Sequence, residues 1–268
     1  MTIDYIIDPA TCGGHHKTRW QISRNPGFNG LTYNKNTIRS DAFSHQVAPG
    51  VLQPNTTYYW RARVWCDSGC KSYYSETFSF TTGAAPNDAN NNGIPDDQEI
   101  GEETDLDGNG QPDGQGDNFS GVNTVVNNMY VAIETSENIT FLQSLNNQDQ
   151  SILDGMPANM PWGLINFRVE TTNPGDTVQI TIYFDEKAPN GSVLYKYDPV
   201  EGWIDYSEHA AFAPNMKSVI IEIQDGGFGD LDGVANGVIV DPCGIGTNSK
   251  GGGGGGGSCF LDTISENP

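Results

Sequence analysis

The chain has 268 residues and carries 34 acidic against 13 basic side chains, a formal net charge of −21. Between Lys71 and Arg168 there is no cation, so such a surface would repel nucleic acid and anionic membranes, and neither is expected as a partner. No run of about 18 apolar residues is present to span a bilayer, and no basic-then-apolar leader opens the chain.

Gly, Asn, Asp, Thr and Pro are abundant, which favours short strands joined by turns over helices. In residues 1–83, alternating runs at 3–7, 19–23, 58–66 and 77–80 are separated by Gly, Pro and Asn turns, a spacing that predicts a β-sandwich. In residues 52–64, Leu52, Tyr58, Trp60, Ala62 and Val64 would point inward while Arg61 and Arg63 face water. A proline turn followed by a strand-starting tyrosine is the tyrosine-corner arrangement of Ig-like sandwiches. Through Leu52, Pro54, Thr56, Tyr58 and Trp60 the segment resembles a fibronectin type III domain. Residues 18–23 and 78–83 look like bacterial members of that family. The first strand of that fold has no counterpart before Ile3, which reads as a truncated N-terminus.

Five cysteines, an odd number, suit an oxidising, extracytoplasmic setting. Cys12, Cys66 and Cys70 would lie at one end of the first sandwich, where a disulfide among the three is expected. A zinc site using them with His15 and His16 is the alternative, with looser spacing.

Residues 84–118 form an acidic linker in which oxygen-bearing side chains recur at every second position before a glycine. In the first loop Asp88, Asn90 and Asn92 take positions 1, 3 and 5, and Gly93 makes the sharp turn. Ile94 would offer its carbonyl, Asp96 falls at position 9 and Glu99 at 12, which is the EF-hand loop order for Ca²⁺. A second loop runs through Asp105, Asp107, Asn109, Gly110, Gln111 by its carbonyl, and Asp113. Its twelfth position is Gly116, with Asp117 one residue late. Flanking helices are absent, apart from about one turn expected over 97–103. The pair therefore resembles thrombospondin type 3 repeats, which implies loops folded around calcium with little other core. A bare, solvated acidic linker is the alternative.

Strand-like runs recur in residues 119–242, at 125–133, 139–142, 163–169, 177–184, 192–197 and 218–223. Asn173-Pro174-Gly175-Asp176 is a strong turn signal. Val178, Ile180 and Ile182 alternate with Thr and Gln, which predicts a second antiparallel sandwich. The Asp/Gly-rich stretch 224–242, with residues 174–178 and 194–197, looks like the choice-of-anchor U domain. That resemblance implies a place near the C-terminus of bacterial surface proteins and attaches no activity. Asp225, Asp230, Asp232, Asn236 and Asp241 could gather round a further cation, or cap tight glycine turns. Asp185 and Glu186 are adjacent in a strand-like run, point to opposite faces and do not make a glycosidase pair. Tyr195, Tyr197, Trp203 and Tyr206 offer either a sugar-stacking face or ordinary packing.

In the tail, 243–268, seven glycines at 251–257 read as a flexible tether. Ser258-Cys259-Phe260-Leu261-Asp262-Thr263 then resembles the bacterial Cys-Phe-Ile-Ala-Thr motif that follows a glycine run. Cys259 is the attachment candidate that this resemblance implies.

The expectation is thus an all-β chain: two antiparallel β-sandwiches, Ig/fibronectin III-like and choice-of-anchor-like, joined by a calcium-binding acidic linker. No residue set suggests catalysis. The reading is a calcium-stabilised, non-enzymatic bacterial cell-surface or secreted protein for structure or adhesion. Its expected partners are surface or matrix components, carbohydrate or protein. The alternative is an accessory spacer or carbohydrate-binding region of a larger secreted hydrolase.

Overall fold

A computed structural model describes residues 14–38, 44–84, 87–101, 103–110, 113, 118–145, 155–157 and 159–247. The chain is all-β, and its strands form three antiparallel sheets. The strand expected at 3–7 and residues 248–268 of the expected tail, Cys259 included, lie outside the described residues, while residues 243–247 belong to a strand instead of the tail.

The first sheet contains β1 (His15–Ser23), β2 (Tyr33–Ile38), β3 (Thr57–Cys66) and β4 (Phe78–Thr81), in the order β2-β1-β3-β4. Alternation along β3 buries Tyr58, Trp60, Ala62 and Val64 on one face, as the pattern predicts. The tyrosine corner is present: Tyr58 is fully buried, and its Oη accepts the Gln53 N–H at 3.0 Å. On the opposite face the cations stack on rings instead of standing free in water. The Arg61 guanidinium lies 4.0 Å from both the Phe28 and the Tyr74 ring centroids, and Arg63 lies 4.6 Å from those of Trp65 and Tyr74.

The remaining strands are β5 (Phe119–Asn123), β6 (Tyr130–Thr135), β7 (Asn138–Leu145), β8 (Leu164–Glu170), β9 (Thr177–Phe184), β10 (Ser192–Asp198), β11 (Gly202–Asp205), β12 (Ala210–Phe212), β13 (Ser218–Gln224) and β14 (Val238–Thr247). They form two five-stranded sheets, β11-β10-β14-β8-β7 and β12-β13-β9-β6-β5. Between them lies one apolar core that includes Val178, Ile180 and Ile182 of β9, Phe167 of β8 and Ile239 of β14. The strand expected over 125–133 is shorter at its start. Residues 124–129 instead make a turn, with the Thr124 N–H donating to the Met129 carbonyl at 2.7 Å and Asn128 at φ +54°. The helical turn expected over 97–103 is not formed in its described part, where Gln98 closes a simple turn back to the Pro95 carbonyl.

The two regions share a core. The buried face of the first sheet, with Trp20, Ile22, Tyr33 and Trp60, packs on Ala48 and Val51 and also on Leu231 and Val240 from the second region. In β14, Ile239 points into the sandwich while its neighbour Val240 points out toward the first sheet, so one strand serves both. Polar links line this seam. Asn166 Nδ2 donates to the Pro49 carbonyl at 2.6 Å, the Asn34 N–H to the Asp232 carbonyl at 3.1 Å, and Lys35 pairs with Asp198 at 3.2 Å.

Candidate metal centres

The first acidic loop is organised by its own side-chain oxygens. Asp88 accepts the N–H groups of Asn92 and Gly93, at 3.1 and 3.0 Å. Asn90 Oδ1 accepts the Asn92 N–H, Asn92 Oδ1 accepts the Ile94 N–H, and Asp96 Oδ1 accepts the Ala89 N–H. Glu99 reaches across from the twelfth position, its Oε1 accepting from the side-chain amides of Asn90 and Asn92 at 2.7 and 2.9 Å. Gly93 sits at φ +84°, which glycine adopts without strain.

The second loop repeats this arrangement seventeen residues later. Asp105 accepts the N–H groups of Asn109 and Gly110, as Asp88 accepts those of Asn92 and Gly93. Asp107 takes the place of Asn90, and Asp113, bonded by the Leu106 N–H, takes the place of Asp96. Gly110 has φ +83° where Gly93 has +84°. Oxygens of Asp105, Asp107 and Asp113 lie within 4.8 Å of one another, an acidic trio close enough to share a cation. Burial raises the Asp113 carboxyl above its ordinary range, and the charges of Asp107 and Asp105 push in the same direction. A bound divalent cation would relieve that repulsion, so the residues fit the group. In the first loop the acids Asp88, Asp96 and Glu99 do not draw together so closely, and amides stand at two of its positions. Gln111 and Asp117 lie outside the described residues.

The first loop is docked on the second region. Ile94 is buried in the core between the two five-stranded sheets. The Leu142 N–H donates to the Gly93 carbonyl at 3.1 Å, and a Cβ on Gly93 would sit 2.4 Å from the Thr140 carbonyl oxygen. Gln98 bonds both to the backbone of Ser144 and, by its own carbonyl, to the Asn123 N–H at 2.7 Å. Sequence reasoning missed Gln98. The lone apolar Ile94 in a polar run was the visible signal that this loop packs against something.

The third acidic group does not converge. Asp225, Asp230, Asp232 and Asp241 are all buried, but no three of them bring oxygens within 4.8 Å. Asp225 accepts the N–H groups of Gly175, Asn236 and Gly237, and Asp230 those of Gly226 and Val240. Asp232 accepts from the Val234 N–H and the Asn236 amide, while Asp241 pairs with Lys196 at 2.7 Å. This is the turn-capping arrangement, with Asp241 withdrawn to a different partner. Burial pushes Asp230 up to about 7. Burial and the neighbouring charge of Asp230 push Asp232 up to about 9.

Of the disulfide candidates, Cys66 is disulfide-bonded, Cys70 is a free, exposed thiol and Cys12 lies outside the described residues. Cys70 is therefore not the partner of Cys66. Cys66 and Cys70 close one turn, the Cys66 N–H donating to the Cys70 carbonyl, with Cys66 facing inward and Cys70 outward. His15 bonds Thr18, and His16 faces Asp67 at 3.6 Å. Asp185 accepts from Trp162 Nε1 and the Tyr130 N–H, a structural role. Tyr206 is buried in the sandwich core, whereas Tyr197 packs with Leu145 and Leu164 in a separate cluster beside Trp203, so the four aromatics do not share a face.

Comparison with known families decides one region. Residues 10–86 match the Rha78A-like, N-terminal immunoglobulin domain family. The immunoglobulin region thus spans β1 to β4 and ends just before the first acidic loop. No curated protein and no solved structure matches the chain. Among the described residues, no helix is long and apolar enough to cross a membrane.

Proposed function

We infer that this chain is a non-enzymatic, calcium-stabilised structural region of a bacterial cell-surface or secreted protein. Supporting this reading above all is the repeated loop: two copies of one oxygen arrangement, seventeen residues apart, the second holding three acids within 4.8 Å. Ca²⁺ is held by Asp105, Asp107 and Asp113 with Asn109, Gln111 and Asp117, and in the first loop by Asp88, Asn90, Asn92, Ile94, Asp96 and Glu99. The loops are thrombospondin type 3-like and the second sandwich choice-of-anchor-like. The ion neutralises a stretch that has no cation of its own and stiffens the joint between the two regions. Partners are carbohydrate or protein components of a surface or matrix.

The test is calorimetric titration of chelator-stripped protein with Ca²⁺, paired with X-ray scattering. Binding with a Kd of about 10⁻⁴–10⁻³ M, as in extracellular calcium modules, is expected. The share of that heat that belongs to the second loop should be lost when Asp105 and Asp107 are both replaced by Asn. Absence of heat in the intact chain would overturn the calcium reading.

A second reading is favoured by the family match, whose description places an immunoglobulin domain at the N-terminus of a larger protein. On that reading the chain is an accessory region of a secreted hydrolase. A catalytic domain encoded in the same open reading frame would decide for it.

A further inference from the structure

Lys196 of β10 and Asp241 of β14 face each other inside the second sandwich, both buried, with Nζ 2.7 Å from Oδ2. Nζ also donates to the Gly229 carbonyl at 3.2 Å and lies 4.0 Å from the centroid of the Tyr206 ring. That ring is fixed by its hydroxyl, which donates to the Glu222 and Phe228 carbonyls. The second oxygen of Asp241 is buried with no nitrogen or oxygen donor among the described residues against it, and the free, buried thiol of Cys243 lies beside the carboxylate. A desolvated ion pair whose second carboxylate oxygen has only a weak thiol donor beside it is a costly arrangement. Asp230 lines the same cavity of ≈ 130 Å³ as Lys196 and Asp241, and it is bonded to the N–H of Val240, the residue before Asp241.

We propose that Lys196 and Asp241 condense spontaneously into an intramolecular amide cross-link between β10 and β14, with Asp230 as the proton-handling acid. The ammonium and carboxylate exchange a proton to give a neutral amine and a neutral acid. The Nζ lone pair attacks Asp241 Cγ, the N–C bond forms, and one carboxyl oxygen leaves as water. Asp230 accepts the proton released from nitrogen and returns one to the departing hydroxyl, so it is unchanged at the end and no oxidant or cofactor enters. Burial favours this in two ways. It raises Asp241 toward its neutral form against the pull of Lys196, and it holds Asp230 near neutrality as a group able to give and take a proton. Proximity of two buried, mutually fixed side chains supplies the effective concentration that free side chains lack. The cavity has room for the released water, and the Gly229 carbonyl is already placed to accept the new amide N–H.

The experiment is the intact mass of the full chain, reduced and denatured. A mass lower than the sequence mass by one water is expected, with a branched tryptic peptide joining the segments around 196 and 241 and no cleavage after Lys196. Lys196→Met and Asp241→Ala should restore the sequence mass. Asp230→Asn should restore it too while keeping a native circular-dichroism spectrum; loss of water in that variant would overturn the role of Asp230. Folded wild-type protein at its full sequence mass overturns the cross-link itself, whether or not the variants fold.

Discussion

Gln98 and Ser144 are joined by a reciprocal pair of hydrogen bonds: Gln98 Nε2 donates to the Ser144 carbonyl at 3.0 Å, and the Ser144 N–H donates to Gln98 Oε1 at 2.7 Å. A side-chain amide here imitates a strand and satisfies backbone groups at the edge strand β7. Replacing Gln98 by Ala should cost about 1–3 kcal/mol, since a buried N–H and C=O lose their partners. Hydrogen exchange should speed up across 88–99 and 142–145 while β9 stays protected. Unchanged exchange in the loop would show that Ile94 alone holds it.

Calcium and acid burial should be separable by mutation. In stripped protein, Ca²⁺ at about 100 times its Kd should add about 2.7 kcal/mol of stability, read as a rise in Tm. Asp107→Ala should remove the second loop's share of that rise and change the ion-free Tm little, because this half-buried carboxylate bonds, among the described residues, only to Asn109 of its own loop. Asp225→Ala should do the reverse, lowering Tm with and without calcium by stranding the N–H groups of Gly175 and Gly237. Equal calcium responses in wild type and Asp107→Ala would remove the second loop as the site.

The pH dependence of the ion-free protein follows from Asp230 at about 7 and Asp232 at about 9, both raised from 3.8. Raised carboxyl values mean that the folded state binds more protons than the unfolded state from about pH 4 upward. Their contribution is therefore full below about pH 4, falls as pH rises, and is gone once pH has passed about 7 for Asp230 and about 9 for Asp232. Burial lowers His15, which works oppositely but only below its ordinary 6.5. Urea midpoints in chelator should fall between pH 6.5 and 9, and Asp232→Asn should flatten the slope. A midpoint that rises over this range would contradict the burial of these acids.

The seam makes a prediction about cooperativity. Leu231 comes from the second region yet packs among Trp20, Tyr33 and Trp60. Leu231→Ala should cost about 2–5 kcal/mol. Wild-type unfolding should be a single transition, coincident by tryptophan fluorescence and far-ultraviolet dichroism. Two separated transitions in the wild type would mean that the two regions fold independently.

Much of this was legible in the residues, and the failures have a common cause. Alternation revealed the inward faces of β3 and β9, and the turn chemistry of 173–176 was equally plain. The Asp-x-Asn-x-Asn-Gly spacing was read as a set of cation ligands, and the same oxygens are the ones that accept the loop's backbone N–H groups two to five residues along the chain. Nothing local, however, links Lys196 to Asp241, which are 45 residues apart, or Gln98 to Ser144, which are 46 apart. Alternation says which face of a strand is apolar and is silent about what covers it. Hence Leu231 and Val240 were read as parts of the second sandwich alone. No strand was expected over 238–247, although the unbroken Val-Ile-Val start of β14 is the mark of a strand enclosed on two sides.

That strand bears on how such a protein can be inherited. Domain shuffling moves pieces that carry their whole core with them, and a breakpoint near residue 84 would leave Leu231 and Val240 behind. The transplanted immunoglobulin region would then present Trp20 and Trp60 to water, a sticky patch on any new host. Ancestors in which this packing already existed could pass the two regions on only as a pair, changing in step along the Val240 face.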